Sequence, residues 1–153
     1  MATLKAKAKW IENVRTVVDN GRSHSVVCDL ANPAGGNDSG PTALELSLMA
    51  LADCGATIFA DVCKKSSIEL GKLEVEVSAE KNPESPVVSG ATMKVLVSGK
   101  ASKELLEAAW RRTEANCPVV FIFRDPIPLK IEFEGRPSEV PKPAAPVPPE
   151  ITA

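Results

Sequence analysis

Four cysteines are the residues of this chain best suited to covalent chemistry. They are Cys28, Cys54, Cys63 and Cys117, they form no C-x-x-C pair, and the single histidine is His24. Structural zinc sites and thioredoxin-type dithiols need closely spaced ligands or thiols, so neither is expected here. We therefore expect neither a metal nor a cofactor, and we expect thiols that stay reduced in a reducing cytosol.

Cys54 lies inside one of the most apolar runs of the chain, ALADCGATIF. A free cysteine in such a run is often a small buried residue that only packs. Alternatively, it is a nucleophile in a dry pocket, whose reactivity depends on how strongly its surroundings favour the thiolate. The residues of the run leave both interpretations open.

The other polar candidates suggest structural roles. His24 lies between two serines at a predicted turn and is expected at the surface, and no Ser/His/Asp set can be assembled around it. Asp53 and Asp61 belong to a narrow polar stripe of a predicted helix, which is typical of a solvated face rather than of paired catalytic carboxylates. Cys28, in a predicted strand, and Cys63, on the opposite side of the helix from Cys54, are expected to be structural thiols.

Length and composition predict one folded domain. The chain has 153 residues, 44% of them hydrophobic, which suits one ordinary domain better than two. We assign residues 1–135 to this domain. Residues 136–153 contain six of the 13 prolines and are expected to form an extended or disordered tail.

The hydrophobic periodicity predicts an α+β fold that starts with three antiparallel strands. These strands cover Leu4–Trp10, Val14–Val18 and Ser25–Leu30, with a turn at Asp19–Gly21 and a loop over Ala31–Pro41. A long helix should follow, because Thr42 and Glu45 form a T-x-x-E capping box and good helix formers continue to about Lys65. This helix is apolar on most sides and is expected to be buried on most sides.

The second half of the chain predicts a hairpin, a helix and a last strand. The hairpin strands are Leu70–Ala79 and Pro86–Val97, and the helix begins after Ser102 and ends near Asn116. The segment CPVVFIF is ambiguous, because its residues favour a strand whereas Pro118 suits the first position of a short helix. Leu129–Phe133 is expected to be the final strand.

Charge and targeting patterns exclude several classes of partner. The net charge of −2, from 18 basic and 20 acidic residues, offers no basic surface for nucleic acid or an anionic membrane. The N-terminus lacks the apolar core of a signal peptide. We expect a cytoplasmic protein that binds neither nucleic acid nor membranes.

The stretch GPTALELSLMALADC and the later NCPV resemble the osmotically induced protein C (OsmC) and organic hydroperoxide resistance (Ohr) family. The resemblance runs over roughly residues 2–135. It implies an intertwined α+β homodimer in which antiparallel sheets surround long buried central helices. It also implies a thiol-dependent peroxidase that reduces organic hydroperoxides or related peroxides with a dithiol or thiol reductant, in defence against oxidative stress. Cys54 matches the cysteine that attacks the peroxide, and Cys117 matches the resolving cysteine.

Two positions depart from the characterised branches of this family. Their glutamate ten positions before the reactive cysteine is Leu44 here, and Glu45 lies nine before, on the opposite side of a helix that turns by about 100° per residue. Glu45 therefore fits the capping box better than the reaction. The family's arginine matches Arg15 best and Arg22 second. The pattern is closer to a less characterised branch, so a non-enzymatic small-molecule-binding or sulfur-handling protein remains the alternative function.

Overall fold

Eight strands and α-helices, with a short 3-10 helix at Asn32–Ala34, build residues 2–136, the part of the chain that this computed structural model describes. Three strands come first, then a long helix, a hairpin and two shorter helices. The elements are β1 (Lys7–Glu12), β2 (Arg15–Asp19), β3 (Ser25–Cys28), α1 (Ala43–Lys65), β4 (Leu70–Lys81), β5 (Val88–Gly99), α2 (Lys103–Glu114) and α3 (Pro118–Arg124). The α+β class and the long central helix are as predicted.

The N-terminal strands form an antiparallel sheet in the order β1-β2-β3. Val17 pairs with Val27 across β2 and β3, and the turn between these strands contains Gly21 at φ +70°, a conformation that favours glycine. The three predicted strands are confirmed, although β1 begins at Lys7 rather than Leu4.

Helix α1 begins with the predicted capping box. The Thr42 side-chain oxygen accepts a hydrogen bond from the Glu45 N–H at 3.2 Å, and the Glu45 carboxylate accepts one from the Thr42 N–H at 2.8 Å. Two backbone N–H groups that the helix leaves without partners are thus satisfied. The helix start is fixed by local sequence.

One stripe of α1 is buried within the single chain. Leu51, Gly55, Phe59 and Cys63 recur every fourth residue and face the rest of the domain. Only 22% of the residues in the most apolar 18-residue window of α1 are buried, and this helix is long and apolar enough to cross a membrane by composition. The expectation of burial on most sides is therefore not met by one chain.

The hairpin and α2 complete the packing around the C-terminal half of α1. Strands β4 and β5 are antiparallel, with Val75 opposite Val95. Phe59 of α1 stacks at a tilt against Trp110 of α2, with ring centroids 5.7 Å apart. Phe59, Cys63, Ile68 and Ala109 form the buried centre of this cluster.

The C-terminal region resolves one ambiguity and corrects one prediction. The residues of CPVVFIF that follow the cysteine form helix α3, with Pro118 at its first turn. The predicted strand Leu129–Phe133 is wrong for the single chain, because residues 126–136 have no regular secondary structure. Ile127, Leu129, Ile131 and Phe133 are 66–93% exposed, so this alternating segment has no neighbouring strand within residues 2–136. The predicted proline-rich tail lies outside the described residues, apart from Arg136.

Candidate functional site

The sulfur atoms of Cys54 and Cys117 lie 2.8 Å apart. Cys54 projects from the middle of α1, and Cys117 is the residue immediately before α3. Both cysteines are free thiols in this structure. The fold therefore brings together two thiols that are 63 residues apart in sequence.

A tight connection between α2 and α3 orients Cys117. The Asn116 N–H donates to the Thr113 carbonyl at 3.0 Å, which closes the end of α2. Cys117 is extended, with φ −85° and ψ 106°, and Pro118 then starts α3. Because proline disfavours a helical residue before it, the sequence Cys-Pro itself selects this extended conformation.

The thiol pair sits among apolar side chains and is exposed asymmetrically. Cys117 is fully buried at 0% exposure, whereas Cys54 is only partly buried. Leu51 and Val120 are buried against the pair, and Met93 packs on the same cluster. A reagent entering from solvent therefore meets Cys54 first.

The surroundings favour the neutral thiol of Cys54 at rest. Burial raises the pKa of Cys54 most, and its hydrogen bond with the Cys117 thiol raises it further, with smaller increases from the negative charges of a Cys117 thiolate and of Asp53. The backbone N–H of Val119, in the first turn of α3, opposes this by stabilising the anion. The start of α3 thus serves the Cys54 sulfur.

Arg15 is bound by two carboxylates and by an amide of the loop over residues 31–41. Its Nη1 contacts Glu12 at 2.7 Å, and its Nε donates to Asp29 at 3.3 Å. Asn37, with its amide turned to satisfy both of its groups, accepts from Arg15 Nη2 at 2.9 Å. The three sides of the guanidinium are therefore occupied.

Asp29 is a buried carboxylate that the sequence did not reveal. It is 3% exposed and accepts backbone N–H bonds from Leu30, Asn37 and Ser39 at 2.9, 3.1 and 3.2 Å. Burial acts to raise the pKa of Asp29, but these hydrogen bonds outweigh it and lower the pKa from 3.8 to about 2. Asp29 therefore carries its charge throughout the physiological range.

The remaining predicted residues lie in other surroundings. The Glu45 carboxylate is bound to the Thr42 N–H and hydroxyl, which lowers its pKa. Arg22 lies in the exposed turn between β2 and β3, and its backbone N–H donates to Asn20. His24 is also exposed at this turn, as predicted. Neither Arg22 nor His24 belongs to the apolar cluster around the two thiols.

Cys28 and Cys63 are both buried, at 7% and 0% exposure. Cys63 lies in the core cluster with Phe59, Ile68 and Ala109, and burial raises its pKa. Cys28 ends strand β3 and pairs with Thr16 of β2. These positions agree with the structural role expected for both residues.

A cleft of about 570 Å³ adjoins the thiol cluster. Its walls include Leu51, Met93 and Val120, three residues that also pack around the two cysteines. Its size falls within the range of roughly 300–1,000 Å³ that is typical of small-molecule sites. A mainly apolar small molecule can therefore be accommodated beside the thiol pair.

One charged pair lines this cleft. Arg124 of α3 donates through Nη2 to Glu114 of α2 at 3.2 Å, and Trp110 Nε1 donates to the other Glu114 oxygen at 2.7 Å. Sequence reasoning missed Arg124, because it follows an ambiguous segment and no motif marks it. The only available signal was its position at the end of the short helix that Pro118 was suited to start.

Comparison with known proteins identifies relatives along most of the chain. A family model described as OsmC-like protein matches residues 35–132. The protein YhfA of Escherichia coli strain K12 is 21% identical over 134 residues, which cover 86% of this chain and 97% of YhfA.

Solved structures share the fold at low sequence identity. An OsmC-like protein from Mycoplasma pneumoniae has a TM-score of 0.71 and 12% identity, covering 81% of this chain and 89% of that protein. An organic hydroperoxide resistance protein OsmC from Legionella pneumophila has a TM-score of 0.61 and 20% identity, covering 82% of this chain and 91% of that protein. Because the family model spans more than half of the sequence, the chain belongs to the OsmC-like protein family.

Proposed function

We propose that this protein is a thiol-dependent peroxidase that reduces organic hydroperoxides and so contributes to defence against oxidative stress. The observation that carries the proposal is the 2.8 Å separation of the Cys54 and Cys117 sulfurs beside an apolar cleft. Two thiols in contact, one reachable and one buried, are the minimum equipment for two-cysteine peroxide reduction. The Legionella relative, named for organic hydroperoxide resistance, supports the same substrate class.

In the first step, Cys54 attacks the terminal oxygen of the hydroperoxide as a thiolate. An S–O bond forms, the O–O bond breaks, and the leaving alkoxide takes up a proton to become an alcohol. The sulfur loses two electrons and the peroxide gains them. Cys54 is the attacking residue in this proposal because it is the more exposed of the pair.

In the second step, Cys117 resolves the Cys54 sulfenic acid. The Cys117 sulfur forms a bond with the Cys54 sulfur, the S–OH bond breaks, and the hydroxyl leaves as water after taking up the thiol proton. The two sulfurs need to approach only from 2.8 Å to the disulfide length of about 2.05 Å. An external dithiol or thiol reductant then restores both thiols by exchange.

In this proposal Arg15 and Glu45 stabilise structure and do not react. The Arg15 guanidinium is occupied by Glu12 and Asp29, and Glu45 closes the capping box of α1. Activation of Cys54 then depends mainly on the Val119 N–H, against a pKa that burial raises. We expect a slow reaction, because positioned positive charge normally supplies much of the thiolate stabilisation.

We also propose that the protein works in the cytoplasm as a homodimer. One chain fully buries only 22% of the apolar window of α1, and it leaves the alternating side chains of residues 127–133 exposed. Apolar surfaces of this kind are commonly buried between symmetric copies. A second copy would supply both the cover for α1 and a neighbouring strand for residues 127–133.

Peroxide consumption with dithiothreitol as reductant tests the proposed function. We expect the wild type to consume cumene hydroperoxide over many turnovers and Cys54→Ser to lose this activity. Cys28→Ser is the matched control, because it removes a thiol outside the pair and should keep the activity. Equal rates for the wild type and Cys54→Ser would exclude the peroxidase and favour the binding or sulfur-handling alternative.

A further inference from the structure

Helix α3 holds Cys117 against Cys54 with few buried contacts of its own. It has seven residues, and isolated helices shorter than about 12 residues are only marginally stable in water. Val120 is its single buried residue, whereas 41–48% of each of the next three side chains is exposed, those of Phe121, Ile122 and Phe123. The position of Cys117, immediately before α3, therefore depends on what anchors the far end of this helix.

An ion pair anchors that end of α3 to α2. Arg124, the last residue of α3, donates through Nη2 to Glu114, the last residue of α2, at 3.2 Å. Among residues 2–136, this is the only hydrogen bond that the structure records between the two helices. The paired residues are ten positions apart, so the ion pair closes a loop that contains Cys117.

The Glu114 carboxylate is held in place by contacts that lead to the core. Its other oxygen accepts a hydrogen bond from Trp110 Nε1 at 2.7 Å, and the Trp110 ring packs against Phe59 of α1. A side chain loses conformational entropy when it joins an exposed ion pair, and a side chain that is already constrained loses less. Contacts between side chains thus connect α1 through α2 to the end of α3.

The stability of α2 does not explain why a glutamate occupies position 114. Glu114 is the last residue of α2, where the carbonyl end of the helix disfavours a negative charge. A residue that violates a local preference is better explained by what it binds. Glu114 binds Arg124, and through Arg124 it holds the helix that follows Cys117.

We propose that the Glu114–Arg124 ion pair positions Cys117, so that its thiol captures the Cys54 sulfenic acid before a second peroxide reaches it. In the competing reaction, a second S–O bond forms at Cys54, the O–O bond of another hydroperoxide breaks, and an alcohol leaves, which gives a sulfinic acid. Capture is intramolecular, so its rate depends on how often the two sulfurs are in contact. The capture step rests on the proposed peroxidase function, whereas the contact between the thiols does not.

A redox titration with glutathione tests the positioning without any peroxide. An ion pair that favours contact between Cys54 and Cys117 must also favour their disulfide. We expect Arg124→Gln to lower the equilibrium constant for disulfide formation about three-fold, which raises the reduction potential by about 14 mV. Arg124→Lys keeps the positive charge and should restore most of this loss. Glu107→Gln is the matched control, because it breaks an exposed ion pair of α2 with Lys103 and should leave the potential unchanged.

A double-mutant cycle tests whether Glu114 and Arg124 act as a pair. If they do, Glu114→Gln combined with Arg124→Gln should shift the potential no more than the larger of the two single changes. Shifts that add would show two independent effects and would contradict the proposal. A shift in Glu107→Gln equal to that in Arg124→Gln would also contradict it, because the cause would then be the general charge of the helices.

Over-oxidation then separates this inference from the proposed function. Sulfinic acid at Cys54 should appear at about three-fold lower cumene hydroperoxide in Arg124→Gln than in the wild type, because capture by Cys117 is slower. If the potential shifts as expected but no peroxide is consumed, the positioning stands and the peroxidase proposal fails. If peroxide is consumed and either the potential or the over-oxidation threshold is the same in Arg124→Gln as in the wild type, the ion pair does not position Cys117.

Discussion

The Asp29 carboxylate binds the Arg15 guanidinium at 3.3 Å and joins strand β2 to the loop over residues 31–41. The loop wraps closely around the carboxylate: a Cβ atom added at Gly36 would lie 1.8 Å from the Leu30 carbonyl oxygen and 2.8 Å from an Asp29 oxygen. Glycine at position 36 is therefore required by the approach of two backbones. The ion pair between Arg15 and Asp29 therefore has a structural role, because it links the N-terminal sheet to this loop.

Asp29→Asn should destabilise the protein in a pH-dependent way. The folded pKa of Asp29 is about 2, below the value of about 3.9 expected in the unfolded chain. Its contribution is thus fully present only above about pH 5 and is lost progressively as the pH falls towards 2. Melting temperatures measured from pH 7 to pH 2 should differ between wild type and variant at neutral pH and converge in acid. A difference in melting temperature that stays constant with pH would contradict this prediction. Asp61→Asn is the control: it removes a charge from an exposed ion pair and should change the melting temperature little.

The two cysteine variants should stop at different products. After one equivalent of peroxide, the wild type should contain a Cys54–Cys117 disulfide, because the sulfenic acid forms in contact with the second thiol. Cys117→Ser should consume about one equivalent and stop at a sulfenic or over-oxidised Cys54, whereas Cys54→Ser should not react. Mass spectrometry with dimedone trapping distinguishes these states. If Cys54→Ser instead consumed about one equivalent and formed a sulfenic acid at Cys117, while Cys117→Ser did not react, the two roles would be reversed.

Alkylation of Cys54 should depend on pH like that of a buried thiol. Because burial and the neighbouring sulfur raise the pKa of Cys54, its thiolate fraction is small at pH 7. This fraction becomes large only at pH values above the usual pKa of a thiol. Iodoacetamide labelling of wild-type protein, read by peptide mass spectrometry, should therefore accelerate up to pH 9 and beyond. A rate that levels off near pH 7 would show an activated thiolate and a cation near Cys54.

The capping box should matter for stability rather than for turnover. Thr42→Ala should cost about 1 kcal/mol of unfolding free energy, because the Glu45 N–H loses its partner. Glu45→Gln keeps the size of the side chain. It should lower the rate of peroxide consumption no more than Glu107→Gln, which changes an exposed glutamate of α2. Denaturant unfolding and rates per folded protein check both parts. A selective loss of rate in Glu45→Gln would restore a catalytic role for Glu45.

The proposed dimer should depend on the apolar side chains of residues 127–133. Ile131 is 82% exposed in one chain, so Ile131→Asp should leave the monomer fold intact and weaken association. Sedimentation should give a dimer for the wild type at micromolar concentration and a larger monomer fraction for the variant. Lys130→Asp, at the neighbouring position of the same segment, is the control for added negative charge. A monomeric wild type would exclude the dimer.

Local signals were sufficient to predict much of the fold. The capping box of Thr42 and Glu45, the alternation of β4 and β5 and the cap at Ser102 all act within a few residues, and each is present. The predicted strand over Leu129–Phe133 is absent, because alternation indicates an apolar face but does not supply a partner strand. A local alternating pattern therefore does not produce a strand when the strand that would pair with it is not a near neighbour in sequence.

The candidate site was less accessible to sequence reasoning. Proximity of Cys54 and Cys117 came only from the family resemblance, since nothing in either local sequence encodes a contact across 63 residues. Asp29 and Arg124 carry no motif, and their roles depend on a loop closure and on a helix packing that appear only in three dimensions. Both are ordinary charged residues until their partners are known.

The spacing of contacts along the chain has a consequence for the order in which the molecule folds. Strands β4 and β5 pair from Lys81 and Val88 outward, so their hairpin closes a short loop, whereas the thiol pair closes a long one. Short loops cost less entropy, and local contacts form faster. We therefore expect the hairpin to precede the meeting of Cys54 and Cys117 during refolding. Until the two sulfurs meet, an oxidised Cys54 has no resolving partner, so a newly made chain is more vulnerable to irreversible oxidation than the native protein.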